Sequence, residues 1–303
     1  MTEFTYFQSK ITTLLPDIEL KFWEPMAKHT SFRIGGPVEV MAFPKTAGEL
    51  AEILKQSGLL DCDCAILGAG TNILAQDAAR NGVVVCLKDC MDGMERLKGD
   101  RLRVAAGVTM SRAAVFAAGQ GLGGMEFAHG IPGTVGGGVY MNAGAYGGEI
   151  CQICESVDVM RPDGSVETLS NEQMKFSYRH SCLEDEYGIV ISAVFQLVQK
   201  PQEQIRAQMQ DLMNRRKTSQ PLDMPSAGSA FKRPVGGYAA ALIDQTGLKG
   251  FRIGDAAVSE KHAGFVVNLG NATAAEVCQL LQEVSNKVYD ATQIRLEPEI
   301  RIW

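Results

Sequence analysis

Apolar residues recur along this chain at two periods, and the switches between them mark its elements. Thr46 and Glu49 form a capping-box pair, Leu50, Ile53 and Leu54 share one helical face, and Gly58 supplies a stop, so the pattern predicts a short amphipathic helix. Residues 38–43 before it, and 64–67 and 83–87 after it, are apolar runs of strand length. The opening third therefore reads β-α-β-β. Residues 101–106 return to a strand pattern, residues 111–120 are alanine-rich and predict a helix, and Gly119, Gly121, Gly123 and Gly124 break it. Residues 157–161, 166–169 and 189–198 alternate or are β-branched, with Pro162-Asp163-Gly164 marking a turn between the first two.

Lys200-Pro201 marks a change in character. Beyond it Ile205, Met209, Leu212 and Met213 recur at helical spacing as far as the basic run Arg215, Arg216 and Lys217. A helix over 239–246 stopped by Gly247 follows, then a strand over 264–269. A last helix starts at the Thr273 and Glu276 capping box and carries Val277, Leu280, Leu281, Val284 and Val288 as its apolar stripe. Whether the first twenty residues form a helix is left open by their pattern. The expected fold class is α+β, with a first domain over residues 1–200, a subdomain break near residue 88, and a second domain over 201–303.

Composition narrows the function. At 303 residues the chain is long enough for two or more compact units. A net charge of −6 means that any anionic ligand must be held by a local basic cluster, and nucleic acid is not an expected partner. The first twenty residues lack a basic start and an apolar run, and nowhere do about 18 apolar residues follow one another, so neither secretion nor membrane spanning is expected. The 8 cysteines are irregularly spaced, which suits reduced thiols in the cytosol. Cys151 and Cys154 form a CxxC pair, but no second pair or histidine lies at ligand spacing, so no metal is expected and the two read as packing cysteines.

Two glycine-rich stretches carry the candidate chemistry. Gly68, Ala69, Gly70, Thr71 and Asn72 follow the strand pattern 64–67. They suit either an anion-binding concavity of backbone N–H groups or a plain tight turn. The position of a third Rossmann glycine is Ile73, and the Lys-Ser/Thr ending of a P-loop is missing. The second stretch is Gly130, Ile131, Pro132, Gly133, Thr134, Val135, Gly136, Gly137 and Gly138, continued by Asn142, Ala143, Gly144 and Ala145. So many glycines sacrifice backbone order, which a close approach of backbone to ligand explains. Neither stretch names its ligand.

Further segments do. His29-Thr-Ser-Phe-Arg-Ile-Gly-Gly36, Phe176-Ser-Tyr-Arg179-His-Ser181, Ala227-Gly-Ser229-Ala-Phe-Lys-Arg-Pro234 and Leu296-Glu-Pro-Glu299-Ile300, read with the glycine stretches, run in order through essentially the whole chain. In that order they resemble the UDP-N-acetylenolpyruvoylglucosamine reductases. Thr71 stands where serine is more usual in that family, and its hydroxyl can donate the same hydrogen bond. The interval from Arg179 to Ser229, 229 − 179 = 50 positions, is similar to that of the shorter, type II branch. The resemblance implies a VAO/PCMH-like FAD-binding domain of two α+β subdomains, followed by an α+β substrate-binding domain whose last residues return to the active site. It implies FAD bound without a covalent link, NADPH as co-substrate and UDP-N-acetylglucosamine enolpyruvate as substrate, in peptidoglycan precursor synthesis, by a cytoplasmic enzyme expected to act as a monomer.

The resemblance also assigns residues. The cofactor-binding set is Gly68 to Asn72, Gly130 to Thr134, Gly136, Gly137 and Asn142 to Ala145. Arg179 matches an arginine that stabilises an enolate, a task suited to a fixed guanidinium. Ser229 matches the proton donor. Glu299 matches a third catalytic position, donating a hydrogen bond if burial keeps it protonated, or orienting another group as a carboxylate. Lys217 and Lys232 are the candidates for the substrate diphosphate, and Tyr178 packs against ligand or core. Two other readings stand beside this one. A flavin oxidase of the same fold, with His129 as a covalent flavin attachment, leaves Ser229 and Glu299 unexplained; a silent flavin or sugar-nucleotide binder leaves the whole set unexplained.

Overall fold

In the computed structural model, which describes residues 3–303, threonine side chains start three of the helices that the sequence marks. Thr46 accepts from the Glu49 amide and Thr273 from the Glu276 amide, each with the reciprocal glutamate bond of a capping box, and Thr109 accepts from the Arg112 amide. The resulting helices are Ala47–Leu59, Met110–Gly119 and Ala274–Thr292. The first runs through Gly58, expected as its stop, because Leu60 rather than glycine closes the last turn. The helix Glu3–Leu14 settles what the pattern of the first twenty residues leaves open, and the strand Glu19–Pro25 is an element that the pattern does not predict. The strand is largely exposed and so lacks a clean apolar alternation. The first two residues of the expected first domain lie outside the described residues.

The described chain divides into two compact units. One comprises the chain up to Phe22, Val40–Ala69 and Asn81–Asn214; the other comprises Trp23–Glu39, Gly70–Arg80 and Arg215–Trp303.

In the first unit Cys64–Leu67 pairs in parallel with Arg80–Cys86, and Pro37–Phe43 and Glu19–Pro25 complete a four-stranded sheet. The chain leaves that sheet at Cys86 and enters a second at Met94. The second sheet is antiparallel, in the order Val166–Ser170, Cys154–Met160, Ile189–Gln196, Arg101–Ala105 and Met94–Leu97. Pro162-Asp163-Gly164 forms the expected hairpin turn, with Asp163 accepting from both the amide and the hydroxyl of Ser165. One core joins both sheets to the alanine-rich helix Met110–Gly119, whose Ala113, Ala114, Ala117 and Ala118 are buried. Alanines let that helix approach closely, and dense packing leaves little room for larger side chains.

The second unit has its own core. A four-stranded antiparallel sheet in the order Ser226–Ser229, Phe265–Asn268, Ala256–Val258 and Arg252–Ile253 is covered by the helices Ala239–Gln245 and Ala274–Thr292. Val277, Leu280, Leu281, Val284 and Val288, the stripe read from the sequence, are all buried there, each stabilising the unit by roughly 1.5–3 kcal/mol. Phe32 and Leu74, from early in the chain, join the same core, which is why two N-terminal segments belong to this unit. The final strand, Arg301–Ile302, pairs in parallel with Ile73–Leu74. No helix among the described residues is long and apolar enough to cross a membrane.

Candidate active site

The candidate residues fall into two groups, one in each unit. In the first unit the glycine stretch 130–138 is not the open loop that its composition suggests. Residues 135–140 form a short helix, Val135–Tyr140, whose start is set by Thr134 accepting from the Gly137 amide at 3.4 Å. The glycines are there for steric reasons: a Cβ on Gly136 would lie 2.9 Å from that of Ala106, and one on Gly138 would lie 2.8 Å from the Met110 sulfur. Gly137 is the exception, exposed and with only the Thr134 hydroxyl near its missing side chain.

The same hydroxyl joins the two glycine stretches. A Cβ on Gly68 would meet Thr134 Oγ1 at 2.5 Å, so the backbone just after the strand Cys64–Leu67 lies against the side chain that starts the short helix. Neither residues 68–72 nor residues 130–138 contain an acidic side chain. Backbone without a carboxylate of its own suits a diphosphate-bearing cofactor such as FAD, while the amides of Ile131, Val135, Gly136 and Gly137 already donate within the protein.

Arg179 sits at the tip of a two-residue turn. Ser177 and His180 pair across it, the Ser177 amide donating to the His180 carbonyl at 3.1 Å and the His180 amide to the Ser177 carbonyl at 3.2 Å. Arg179 has φ 56°, a left-handed conformation that costs an arginine about 1–2 kcal/mol. Its guanidinium reaches the Gly144 carbonyl at 3.4 Å and lies 5.2 Å from the centre of the Tyr178 ring. Tyr178 is about half exposed, so it is not a core residue. Strained backbone under a charged side chain is a mark of a site held for use.

In the second unit Gly70 takes φ 60° and packs so closely on the His29 carbonyl that no Cβ fits. The Ser31 amide donates to the Gly70 carbonyl at 3.1 Å, and the Ser31 hydroxyl donates to the Ser226 carbonyl at 2.6 Å. Ser31 is thus a site-building residue that sequence reasoning quoted only as part of a motif. From Ser226 the strand runs to Ser229, and here the register slips: Ser226 faces Val267 and Ser229 faces Phe265, three steps against two. The extra residue is a bulge, made possible by Gly228 at φ 77°, and it leaves Ser229 exposed. The Gly-Ser pair, which by composition reads as a turn, is therefore a strand end re-aimed by a bulge.

Glu299 is placed beside it. Its amide donates to the Ala230 carbonyl at 2.9 Å, and the Asn72 side-chain amide donates to the Glu299 carbonyl at 3.2 Å. Asn72, the Ser229-Ala230 strand end and Glu299 are thereby one hydrogen-bonded assembly, although they lie far apart in sequence. Lys232 is next to it, its Nζ 3.7 Å from Glu297 in a largely exposed pair of little energetic weight. Lys217 is exposed on the helix Gln202–Ser219, its carbonyl accepting from the Lys261 ammonium at 2.6 Å. The basic run Arg215 to Lys217 lies inside that helix, whereas the sequence suggested that the helix ended there.

Burial pushes the Cys154 thiol up to about 12 and also raises that of Cys151, so neither is a ready thiolate. Burial lowers the pKa of His129, whose Nδ1 lies 3.2 Å from the Ser111 hydroxyl.

Comparison with known proteins gives two family matches. Residues 38–170 match the family model described as FAD binding domain, and residues 220–303 match that of UDP-N-acetylenolpyruvoylglucosamine reductase, C-terminal domain. Over 294 residues the chain is 42% identical to the UDP-N-acetylenolpyruvoylglucosamine reductase of Syntrophomonas wolfei subsp. wolfei, covering 97% of this chain and 98% of that one. The crystal structure of the corresponding reductase from Thermus caldophilus aligns with TM-score 0.79 at 35% identity, covering 94% of this chain and 98% of that chain. An alkyldihydroxyacetonephosphate synthase aligns over 64% of this chain and 40% of its own, with TM-score 0.50 and 16% identity. That last likeness shows the fold alone; with the FAD-binding match it bears out the expected VAO/PCMH-like fold.

Proposed function

Because the chain belongs to the UDP-N-acetylenolpyruvoylglucosamine reductase family, we propose that it reduces UDP-N-acetylglucosamine enolpyruvate to UDP-N-acetylmuramate with electrons from NADPH. It is an FAD-dependent oxidoreductase of peptidoglycan precursor synthesis; on our reading it acts in the cytoplasm and as a monomer. The observation that carries this reading is the assembly of Asn72, Ser229-Ala230 and Glu299, since it joins a cofactor-loop residue to both the proposed proton donor and the third catalytic candidate.

Bound FAD supplies hydride transfer, from NADPH to the β-carbon of the enolpyruvyl ether. The protein has to hold the cofactor, manage the negative charge left on the α-carbon and its carboxylate, and deliver one proton. Backbone at residues 68–72, 130–134, 136–137 and 142–145 would hold the cofactor. Arg179 pairs with the substrate carboxylate and stabilises the enolate; its fixed fork suits an acid acquiring a second charge. Ser229, aimed outward by the Gly228 bulge, gives its hydroxyl proton to the α-carbon. Glu299, whose amide donates to the Ala230 carbonyl and whose carbonyl accepts from Asn72, takes the third catalytic place, donating a hydrogen bond to the enolate when protonated or orienting another group as a carboxylate. Lys217 and Lys232 supply positive charge for the substrate diphosphate, and Tyr178 lies against the bound substrate.

An anaerobic absorbance experiment tests the reading. FAD-loaded protein should bleach with NADPH and regain its yellow colour on addition of UDP-N-acetylglucosamine enolpyruvate. Bleaching reversed by oxygen alone would leave the FAD-binding domain standing and reject the substrate.

A further inference from the structure

We propose that Asn142 is a positioning residue of this reaction, holding the turn that carries Arg179. The inference rests on the enolate-stabilising role given above to Arg179, but its structural part stands separately. The turn Ser177–His180 places an arginine where chain geometry favours glycine or asparagine, so its own two hydrogen bonds must work against backbone strain. Something outside the turn has to over-determine it.

Asn142 does so with its whole side chain. It is 1% exposed, and its Nδ2 donates to the Ser177 carbonyl at 3.0 Å and to Glu149 Oε2 at 3.1 Å, while its Oδ1 accepts from the Cys151 amide at 2.9 Å. Both donors and the acceptor of the amide are thus used. The far side of the turn is tied to the same stretch, since the Ser181 hydroxyl donates to the Tyr140 carbonyl at 2.7 Å. Asn142 itself takes φ 41°, a conformation that asparagine tolerates better than most residues. Residues 141–142 follow directly on the short glycine helix, so a segment within the cofactor-holding stretch also sets where the arginine stands.

The chemistry requires asparagine in particular. Asn142→Asp keeps the shape and the acceptor for Cys151, but it has no N–H for the Ser177 carbonyl and sets a carboxylate against Glu149. It is the gentle variant, and Asn142→Ala is the severe one.

The experiment reads three quantities on FAD-loaded protein: flavin reduction by NADPH, flavin reoxidation by UDP-N-acetylglucosamine enolpyruvate, and amide hydrogen exchange across residues 177–181 without substrate. Because residue 142 also belongs to the cofactor-holding stretch, the variants are compared with wild type at equal FAD occupancy, and reoxidation should fall at least about tenfold more than reduction does. They should slow reoxidation by about a hundredfold, the scale of a misplaced catalytic group. Exchange across residues 177–181 should be faster in both. Unchanged exchange, or an equal fall in both half-reactions, would overturn the proposal. A wild-type protein that fails to reoxidise with this substrate counts against the functional reading instead, and the exchange measurement still decides whether Asn142 holds the turn.

Discussion

The side-chain amide of Asn72 donates to the backbone carbonyl of Glu299 at 3.2 Å, and the Arg301 amide donates to the Asn72 carbonyl at 2.9 Å. A glycine-turn residue near the start of the chain and a glutamate near its end are thus locked together by backbone and amide, before any ligand is considered. The parallel pairing of Ile73 with Arg301 and Leu74 with Ile302 extends this lock by two residues.

Asn72→Ala should therefore weaken the closing segment. Loss of one partly buried amide bond costs about 1 kcal/mol and leaves the Glu299 carbonyl short of a partner. A lower urea midpoint with slower substrate-dependent reoxidation is expected; a variant unchanged in both would show that the bond does not position Glu299.

Ser229→Ala should separate the half-reactions. Removal of a proton donor lowers the step that needs the proton by roughly a hundredfold to ten-thousandfold, leaving flavin reduction by NADPH intact. Stopped-flow absorbance measures each half, and equal losses in the two would reject the assignment.

Gly68→Ala should lose FAD, because the added methyl would sit 2.5 Å from Thr134 Oγ1 and push the strand end away from the helix start. Thr134→Ala in the same chain removes that oxygen, and the next nearest Thr134 atoms stand at 3.7 Å. The double variant should recover flavin, minus about 1 kcal/mol for the lost helix cap. Flavin content after purification is the readout, and no recovery would place the obstruction elsewhere.

Stability should fall on mild acidification, partly through His262. Burial is the main cause that lowers its pKa from the ordinary 6.5, and Nδ1 accepts from the Gly264 amide at 3.2 Å, a bond that a protonated ring cannot keep. The unfolded chain then takes up this proton first as pH falls, so the stabilisation is full above the ordinary pKa and is lost as pH drops toward and through the lowered folded value. Denaturation midpoints measured between about pH 7 and pH 5 should drop less steeply for His262→Gln than for the wild type. Identical slopes would assign the acid sensitivity to other groups.

Much of this was legible along the chain where the cause is local. Thr46 with Glu49 and Thr273 with Glu276 form their capping boxes within one turn, and Val277 to Val288 are buried where the 3.6 period puts them. The hairpin at Asp163 needed its own side chain and little else. The catalytic candidates were legible only through their motifs, since an exposed serine after a glycine and a glutamate beside a proline have ordinary uses that composition favours.

What no local pattern contains is where distant backbone meets. The glycines at 136 and 138 look like loop residues until Ala106 and Met110 are seen against them, and the Gly228 bulge exists only because Ser226 and Ser229 pair with Val267 and Phe265. Asn142 reads as one more small polar residue of a ligand loop; its bonds to Glu149 and Cys151 close a local loop, but the bond to Ser177, 35 residues away, arises only in the folded chain. Caps, periods and turn chemistry act over a few residues and so are written in the sequence, whereas register slips, steric contacts and side-chain ties to remote carbonyls depend on which segments the two cores bring together.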